Sequence, residues 1–456
     1  THNAADFVLA NRSLGAWLLA LSFTANTVNG GLVMTLAGAA FAWGLSAAWI
    51  WAAFVAGAAL NLFFIAPRLR QASLAQGHST LLQLLSVDAG DRLQPLVARS
   101  AILIFVACVL LQTSAMLRFT GELLVQEFGF NLISMALTSV TLVTVGVFAG
   151  GLRACSIGDA VQVIIVSVLA ALLLLPAVVG IGGMEEFRIA LTALGPLATD
   201  WFGGRNGVVA LAFSAGVFGI GLGSIGQPQL ATRFMAARDD SALRLASWLA
   251  LGMIALLLGV VLMCGWAASI LYAGLSRPEL AMFAIADRSL PPGLAAFIVA
   301  SLMAATIANL GSQLLALSGS LAIDTRKVNA TLSLGWNRAA MVLAAVLVVF
   351  AALSAPPRVF EHAMFGYTAI GASFGPLLLV RVCGKRVRPG ATLGAMWSGF
   401  MLSLLFHLLP DAPGDFLERV LPFVTSLGIA LTGGERRRNP DRADRSQETV
   451  HDRVPI

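Results

Sequence analysis

The chain has 456 residues, of which 58% are hydrophobic and only 11% charged. A mean hydropathy of +0.85 excludes an ordinary soluble domain, whose surface needs charge. The net charge of +6 reflects the loop asymmetry described below and is no sign of nucleic-acid binding.

Apolar runs of about 20 residues recur along the sequence, each long enough to cross a hydrocarbon core of roughly 30 Å. Strict alternation over short strands is missing, so a β-barrel does not fit. The pattern predicts an all-α membrane protein with about twelve spans, near 14–42, 46–66, 101–127, 132–150, 156–180, 207–228, 246–273, 293–319, 339–355, 363–381, 391–410 and 416–432. Residues 1–432 form one transmembrane domain on this reading, and 433–456 a disordered tail rich in arginine. The polar opening THNAADFVLANRS does not resemble a cleavable signal peptide.

The positive-inside rule supports the span count. With the N-terminus inside and strict alternation, inside segments hold 22 of the 29 basic residues, Arg12, Arg153, Arg233 and Arg381 among them. One missed helix would invert every later loop and spoil that asymmetry. Both termini are therefore expected in the cytoplasm, and the bacterial inner membrane is the natural setting.

Two spans carry residues that interrupt a helix. The first reads Asn26-Thr27-Val28-Asn29-Gly30-Gly31, and the sixth reads Gly219 to Pro228 as GIGLGSIGQP. Glycine costs a helix about 1 kcal/mol and proline about 3. In lipid, freed backbone groups are tolerated only where they face protein or a cavity. The breaks open two five-helix blocks, roughly 14–180 and 207–381, with extra helices over 391–432. Interrupted spans at matching positions of two halves point to a transporter binding site, and an odd number of helices per block makes the repeats inverted. Close helix packing through small residues is the competing explanation for the glycines.

Other polar residues in the spans have simpler readings. Arg118 and Glu122 stand at i, i+4 and pair with each other. Asp159 follows Ser156 and Gly158 and suits an N-cap. Cys108, Cys155, Cys264 and Cys383 have no paired spacing and read as small hydrophobes. No phosphate loop is present, so ATP is not expected as an energy source. No nucleophile arrangement suggests an enzyme.

Four stretches resemble the sodium:solute symporters, within them the sodium/proline branch. They are DFVLANRSLGAW at 6–17, GGLRACSIGDAVQ at 150–162, GQPQLATRFMAARD at 226–239 and AATIANLGSQLLALSGSLAIDT at 304–325. Members usually carry one more span before the first of these. The resemblance implies a LeuT-type 5+5 inverted repeat with discontinuous helices 1 and 6. It also implies alternating access and sodium-driven uptake of a small organic solute, amino-acid-like or a carboxylate. Sodium would sit against Ala25 and Val28 of the first break, where carbonyls are offered, and Ala305, Ala308 and Asn309 of the eighth helix. The family's two hydroxyl residues fall on Ala308 and Asn309, and only the second has a side-chain oxygen. The solute positions fall on Asn26, Thr27, Asn29, Gly30, Ile220, Ser224, Gln227 and Pro228. The branch's carboxylate is Thr27 here, and its aromatics are Ile220 and Ser224, which removes an apolar wall suited to proline. Asp159 matches an acidic residue of the ion path. Two alternatives stay open: a membrane sensor built on a transporter fold, and a sodium-independent carrier in which the missing hydroxyl reports lost coupling.

Overall fold

The computed structural model describes residues 4–86, 90–129, 131–272, 274–324, 334–354, 359–409 and 413–436. The arginine-rich tail beyond 436 lies outside these residues.

The N-terminal half begins with α1 (Ala4–Leu9), α2 (Ala16–Thr27), α3 (Gly30–Trp43), α4 (Ala48–Ala59), α5 (Ala66–Gln76) and α6 (Leu81–Ser86). A π-helical stretch over Leu60–Ile65 joins α4 to α5. Two long helices follow, α7 (Gly90–Phe128) and α8 (Leu132–Ile181), then the short α9 (Met184–Ala193) and α10 (Pro196–Thr199). The second half runs through α11 (Gly207–Gly223), α12 (Pro228–Met235), α13 (Asp240–Leu271), α14 (Ala281–Ser289), α15 (Pro292–Gly319), α16 (Leu334–Ser354) and α17 (Val359–Val382). After β1 (Lys385–Val387) come α18 (Pro389–His407), α19 (Phe416–Arg419), α20 (Leu421–Thr432) and β2 (Gly434–Arg436).

Among the described residues, eight helices are long and apolar enough to cross a membrane, and the pair α11 and α12 raises this to nine if it is one bent span. The protein is an integral membrane protein on that count alone. Large apolar side chains such as Leu142, Val179, Val208 and Leu256 stand exposed around the bundle, as lipid contact demands.

Several helix starts are explained by their local chemistry. Asn131 and Asp239 cap α8 and α13 by accepting from the amides of Ile133 and Ala242. Prolines 228, 292, 389 and 422 occupy first-turn positions, where their missing N–H costs nothing. The span pair expected at 132–150 and 156–180 is one continuous assignment, α8, folded at Gly151 with φ 56° and ψ −143°. A Cβ there would also lie 2.4 Å from the Phe7 carbonyl, so both conformation and space require glycine.

Small residues set the helix spacing. A Cβ on Gly221 of α11 would meet the Ala53 carbonyl of α4 at 2.2 Å, and one on Gly265 of α13 would meet the Ala37 carbonyl of α3 at 2.3 Å. Such backbone contact is how helices associate where lipid offers no hydrophobic drive.

Two expectations are corrected. The chain does not leave regular structure at 433: Gly434–Arg436 pairs antiparallel with Lys385–Val387, and Val387 is buried beneath the ribbon. The glycine run before Pro228 does not unwind as a whole. Helix α11 persists through Gly223, and only Ser224 to Gln227 depart from it. Gly219, Gly221 and Gly223 instead press against Val420, Ala53 and Tyr367. Packing explains those three, while Gly226, at φ +86°, takes the turn itself.

Gly221→Leu should therefore be costly, by about 1–3 kcal/mol or more of overpacking. Gly252→Leu, where an added Cβ meets nothing within 4 Å, should leave stability near wild type. Thermal unfolding of both variants in detergent checks the contrast, and equal losses would refute the packing account.

Candidate functional site

Helices α2 and α3 are two halves of one rod, parted at Val28 and Asn29. Val28 leaves helical geometry at φ −106°, ψ 69°, and Asn29 is extended. The break is narrower than the Asn26-to-Gly31 interval expected, because Asn26 and Thr27 stay helical. Val28 N–H still reaches the Thr24 carbonyl at 2.7 Å. The Asn29 side chain turns forward to cap α3, accepting from Leu32 N–H at 3.0 Å. Among the described residues, the carbonyls of Ala25, Asn26, Thr27 and Val28 accept no hydrogen bond. These are the orphan acceptors of a helix C-terminus, buried and at the negative end of its dipole.

The second break is built differently. Helices α11 and α12 meet at 49°. Gln227 donates its amide to the Gly223 carbonyl at 2.7 Å and to the Tyr367 carbonyl at 2.9 Å. Its own oxygen accepts from Gln229 at 3.1 Å. Ser224 donates to the Gly221 carbonyl and accepts from Asn61, at 2.7 and 2.8 Å. Ile220 is buried. Pro228 opens α12 and lines a cavity beneath it. Gln227 and Ser224 thus use their polar atoms within the fold.

The positions expected to bind solute on the first span behave likewise. Asn26 donates to the Ser22 carbonyl and to Asp159 Oδ2, at 2.9 and 2.8 Å. The Thr27 hydroxyl donates to the Phe23 carbonyl at 3.0 Å. Gly30 lies against α15: a Cβ on it would sit 2.3 Å from Thr306 Oγ1 and 2.7 Å from the Leu302 carbonyl. This contact brings the first break to the eighth expected span. There Ala305 and Asn309 are buried, while Ala308 is only partly so.

A narrow, partly open cleft adjoins this contact, between α7 and α15. Thr113, Met116, Thr120, Thr306 and Gln313 line it. Gly31 borders it, since a Cβ there would meet Met116 Cε at 3.1 Å. The hydroxyls of Thr113, Thr120 and Thr306 donate to carbonyls one turn back, leaving oxygen lone pairs. Gln313 Oε1 is buried without a hydrogen-bond partner. Thr113, Met116, Thr120 and Gln313 were not singled out from the sequence.

The densest polar cluster is also one the sequence did not announce. Arg233 of α12 is 1% exposed and forms an ion pair with Asp159 of α8 at 2.7 Å. Its Nε donates to Ser22 Oγ at 2.8 Å, its Nη2 also to Ser312 Oγ at 2.7 Å, and its Nη1 to the Gln229 carbonyl at 2.6 Å. Ser22 in turn donates to Asp159 at 2.8 Å. Four helices, α2, α8, α12 and α15, meet on one charge pair. Asp159 is no N-cap, because it lies well inside α8. Arg233 is no loop anchor, because it is sealed in the core; the inside-positive count had placed it in a loop.

Arg12 ties the same half-helices together at the ends away from the breaks. It donates to the Met235 carbonyl at 3.0 Å, to Ser73 Oγ at 2.9 Å and to the His78 carbonyl at 3.0 Å. Leu14 N–H reaches the Ala236 carbonyl and Arg238 N–H reaches the Leu14 carbonyl, at 3.1 and 3.0 Å. Arg118 and Glu122 are paired at 2.8 Å as their spacing suggests. Among the described residues, no group of three or more His, Cys, Asp or Glu side chains forms a metal cluster.

Broken apolar helices around a buried polar centre define a membrane transporter fold, and solved structures match it. A Na+-coupled sialic acid symporter, in its substrate-bound outward-open state, superposes with a TM-score of 0.78 at 16% identity, over 96% of this chain and 94% of that one. Mhp1, a nucleobase-cation-symport-1 family transporter in a closed conformation with bromovinylhydantoin bound, gives 0.60 at 16% identity, over 95% and 93%. By sequence, the chain belongs to the sodium:solute symporter family, whose profile matches residues 7–401. The sodium/proline symporter of Staphylococcus aureus (strain Newman) is 27% identical over 461 residues, spanning 93% of this chain and 88% of that protein.

Removing one partner of a buried ion pair strands the other, at a cost of about 3–5 kcal/mol. Arg233→Gln and Asp159→Asn should each lower thermal stability strongly. The double variant should lose less than the sum, since neither charge is left alone. Strict additivity in unfolding measurements would show that the pair carries no coupling.

Proposed function

We propose that the protein is a secondary active transporter that takes up a small amino-acid-like solute with sodium, by alternating access. The supporting observation is the row of unpartnered carbonyls from Ala25 to Val28, held in the core against α15. The reading comprises about twelve spans, with α2–α3 and α11–α12 as discontinuous helices 1 and 6 of a 5+5 inverted repeat. Both termini lie in the cytoplasm of a bacterial inner membrane.

The sodium ligands on this reading are neutral. Backbone carbonyls are hard oxygen donors at the negative end of a helix, which suits a monovalent cation. Ala25 and Val28 supply them, Ala305 lies opposite on α15, and Asn309 offers an amide oxygen. Ala308 supplies no side chain, which makes the site weaker than one with two hydroxyls.

The solute chemistry follows from the two kinds of group at the cleft. The first turn of α3 presents the amides of Gly30 and Gly31, an anion-favouring helix start. Beside that helix start, where Gly30 packs on Thr306, the cleft residues Thr113, Thr306 and Gln313 present oxygens. A carboxylate on one side and an ammonium on the other describe an amino acid. The named relatives include sodium/proline symporters, but Ile220 and Ser224 offer little aromatic surface for a ring. Asn26, Thr27, Asn29, Gln227 and Pro228 shape the breaks, and Asp159 belongs to the ion path through its pair with Arg233.

Alternating access needs the inner halves α2 and α12 to shift against α8 and α15. Arg12 and the Leu14 bridge hold those halves to each other, so they move as one body, and the bonds of Arg233 to Asp159 of α8 and Ser312 of α15 must open as they shift.

Uptake of labelled amino acids into proteoliposomes under an imposed sodium gradient tests the proposal. Sodium should raise initial uptake several-fold, and Asn309→Leu should raise the sodium concentration needed by about tenfold, the loss of one hydrogen-bond-strength ligand. Uptake that ignores sodium would favour a sodium-independent carrier. Binding without uptake of any solute would favour a sensor.

A further inference from the structure

A narrow, partly open cavity lies beneath α12, walled by Val8 of α1, Leu82 of α6 and Leu315 of α15. Arg233, Thr232 and Ser320 add polar groups to that wall, and no acidic side chain is among the lining residues. Ser320 directly follows the last turn of α15. The cavity is therefore on the face to which the inside-positive count assigns the cytoplasm.

Two of these polar groups have capacity to spare. A guanidinium carries five N–H donors. Those of Arg233 reach Ser22, Asp159, Ser312 and the Gln229 carbonyl, which leaves one N–H on Nη1. Ser320 is 2% exposed, and its hydroxyl has no hydrogen-bond partner among the described residues. Buried polar groups are ordinarily satisfied. Here a cationic donor and a hydroxyl donor share one concave wall, and the group that matches both is a carboxylate.

The movement of α12 adds to this. When the bonds of Arg233 to Asp159 and Ser312 open, a cation is stranded in an apolar wall, which is costly unless an anion takes the place of Asp159. We propose that the cavity beneath α12 is an inner subsite for the carboxylate of the transported solute, with Arg233 as its cation and Ser320 as a second donor. The inference rests on the transport reading and deepens it. The cavity widens as α12 shifts, and the carboxylate passes from the amides of Gly30 and Gly31 to Arg233. Solute and Asp159 thus compete for one guanidinium, so the inner side opens readily only when a carboxylate replaces Asp159. A solute without a carboxylate leaves Arg233 bare, which restricts the substrate class to carboxylates, amino acids included.

Labelling of a thiol placed in the wall tests this in the full chain. Ser320→Cys, combined with Cys383→Ser to remove the exposed native thiol, is reacted with an anionic or a cationic methanethiosulfonate. The anionic reagent should react about tenfold faster, as one nearby guanidinium dictates. Acetate should slow the labelling several-fold, and acetamide, of the same shape but uncharged, should not. Arg233→Lys should keep the preference for the anionic reagent, and Arg233→Gln with Asp159→Asn should abolish it. Four results overturn the proposal: equal rates for the two reagents, equal protection by acetate and acetamide, a preference that survives in the double variant, or no labelling under any condition. Sodium-driven uptake by the Cys383→Ser chain reads the transport proposal separately. Uptake without the anion preference removes the subsite alone, and the preference without uptake leaves an anion site and removes the transport reading.

Discussion

The Arg233–Asp159 pair is the constraint around which the rest of the molecule is arranged. Withdrawing both charges from water is expensive, and their attraction offsets that cost only when further hydrogen bonds complete the shell. Ser22, Ser312, Asn26 and the Gln229 carbonyl supply that shell. Ser22 and Asn26 come from α2, Ser312 from α15 and the Gln229 carbonyl from α12, so the shell exists only when α2, α8, α12 and α15 are mutually placed. The pair thereby fixes α2 and α12, one half of each broken helix. Phe23 and Phe234, 5.2 Å apart, pack beside it and keep it dry.

With α2 and α12 held, the two breaks take on different characters. The second is closed on itself: Gln227 and Ser224 cap the end of α11 with their own side chains. The first is left open, because Asn29 turns toward α3 and Asn26 toward Asp159. The carbonyls between them have no protein donor. A neutral cluster of carbonyls beside an already neutralised ion pair is compatible with one added positive charge. On the proposed reading, that asymmetry favours the first break as the ion's place. The close contact of Gly30 with Thr306 carries any change at the break directly to α15.

Much of this was legible in the sequence, and the remainder failed for identifiable reasons. Hydropathy located the helices, since apolar length is set by the bilayer and is a one-dimensional property. The two interruptions were visible because Asn, Gly and Pro act locally. Their extent was not: Gly219, Gly221 and Gly223 have the same composition whether they unwind a helix or pack it, and only the partners Val420, Ala53 and Tyr367 decide. Arg233 was hidden in a stretch crowded with arginines, and its partner lies 74 residues away, a pairing that no local pattern reveals. The signal available was its place on α12, one turn after Gln229 and beside Phe234 and Met235, a charged residue in an apolar setting. The cleft residues Thr113, Thr306 and Gln313 lie on two helices that meet only in three dimensions.

Hydrogen exchange of the purified protein with and without sodium tests the central claim most directly, because it reads the backbone at the first break. Sodium should slow exchange across residues 26–33 and leave the lipid-facing helices unchanged. Identical exchange in that segment at saturating sodium, under conditions where solute still binds, would contradict a cation site on the freed carbonyls of Ala25 and Val28.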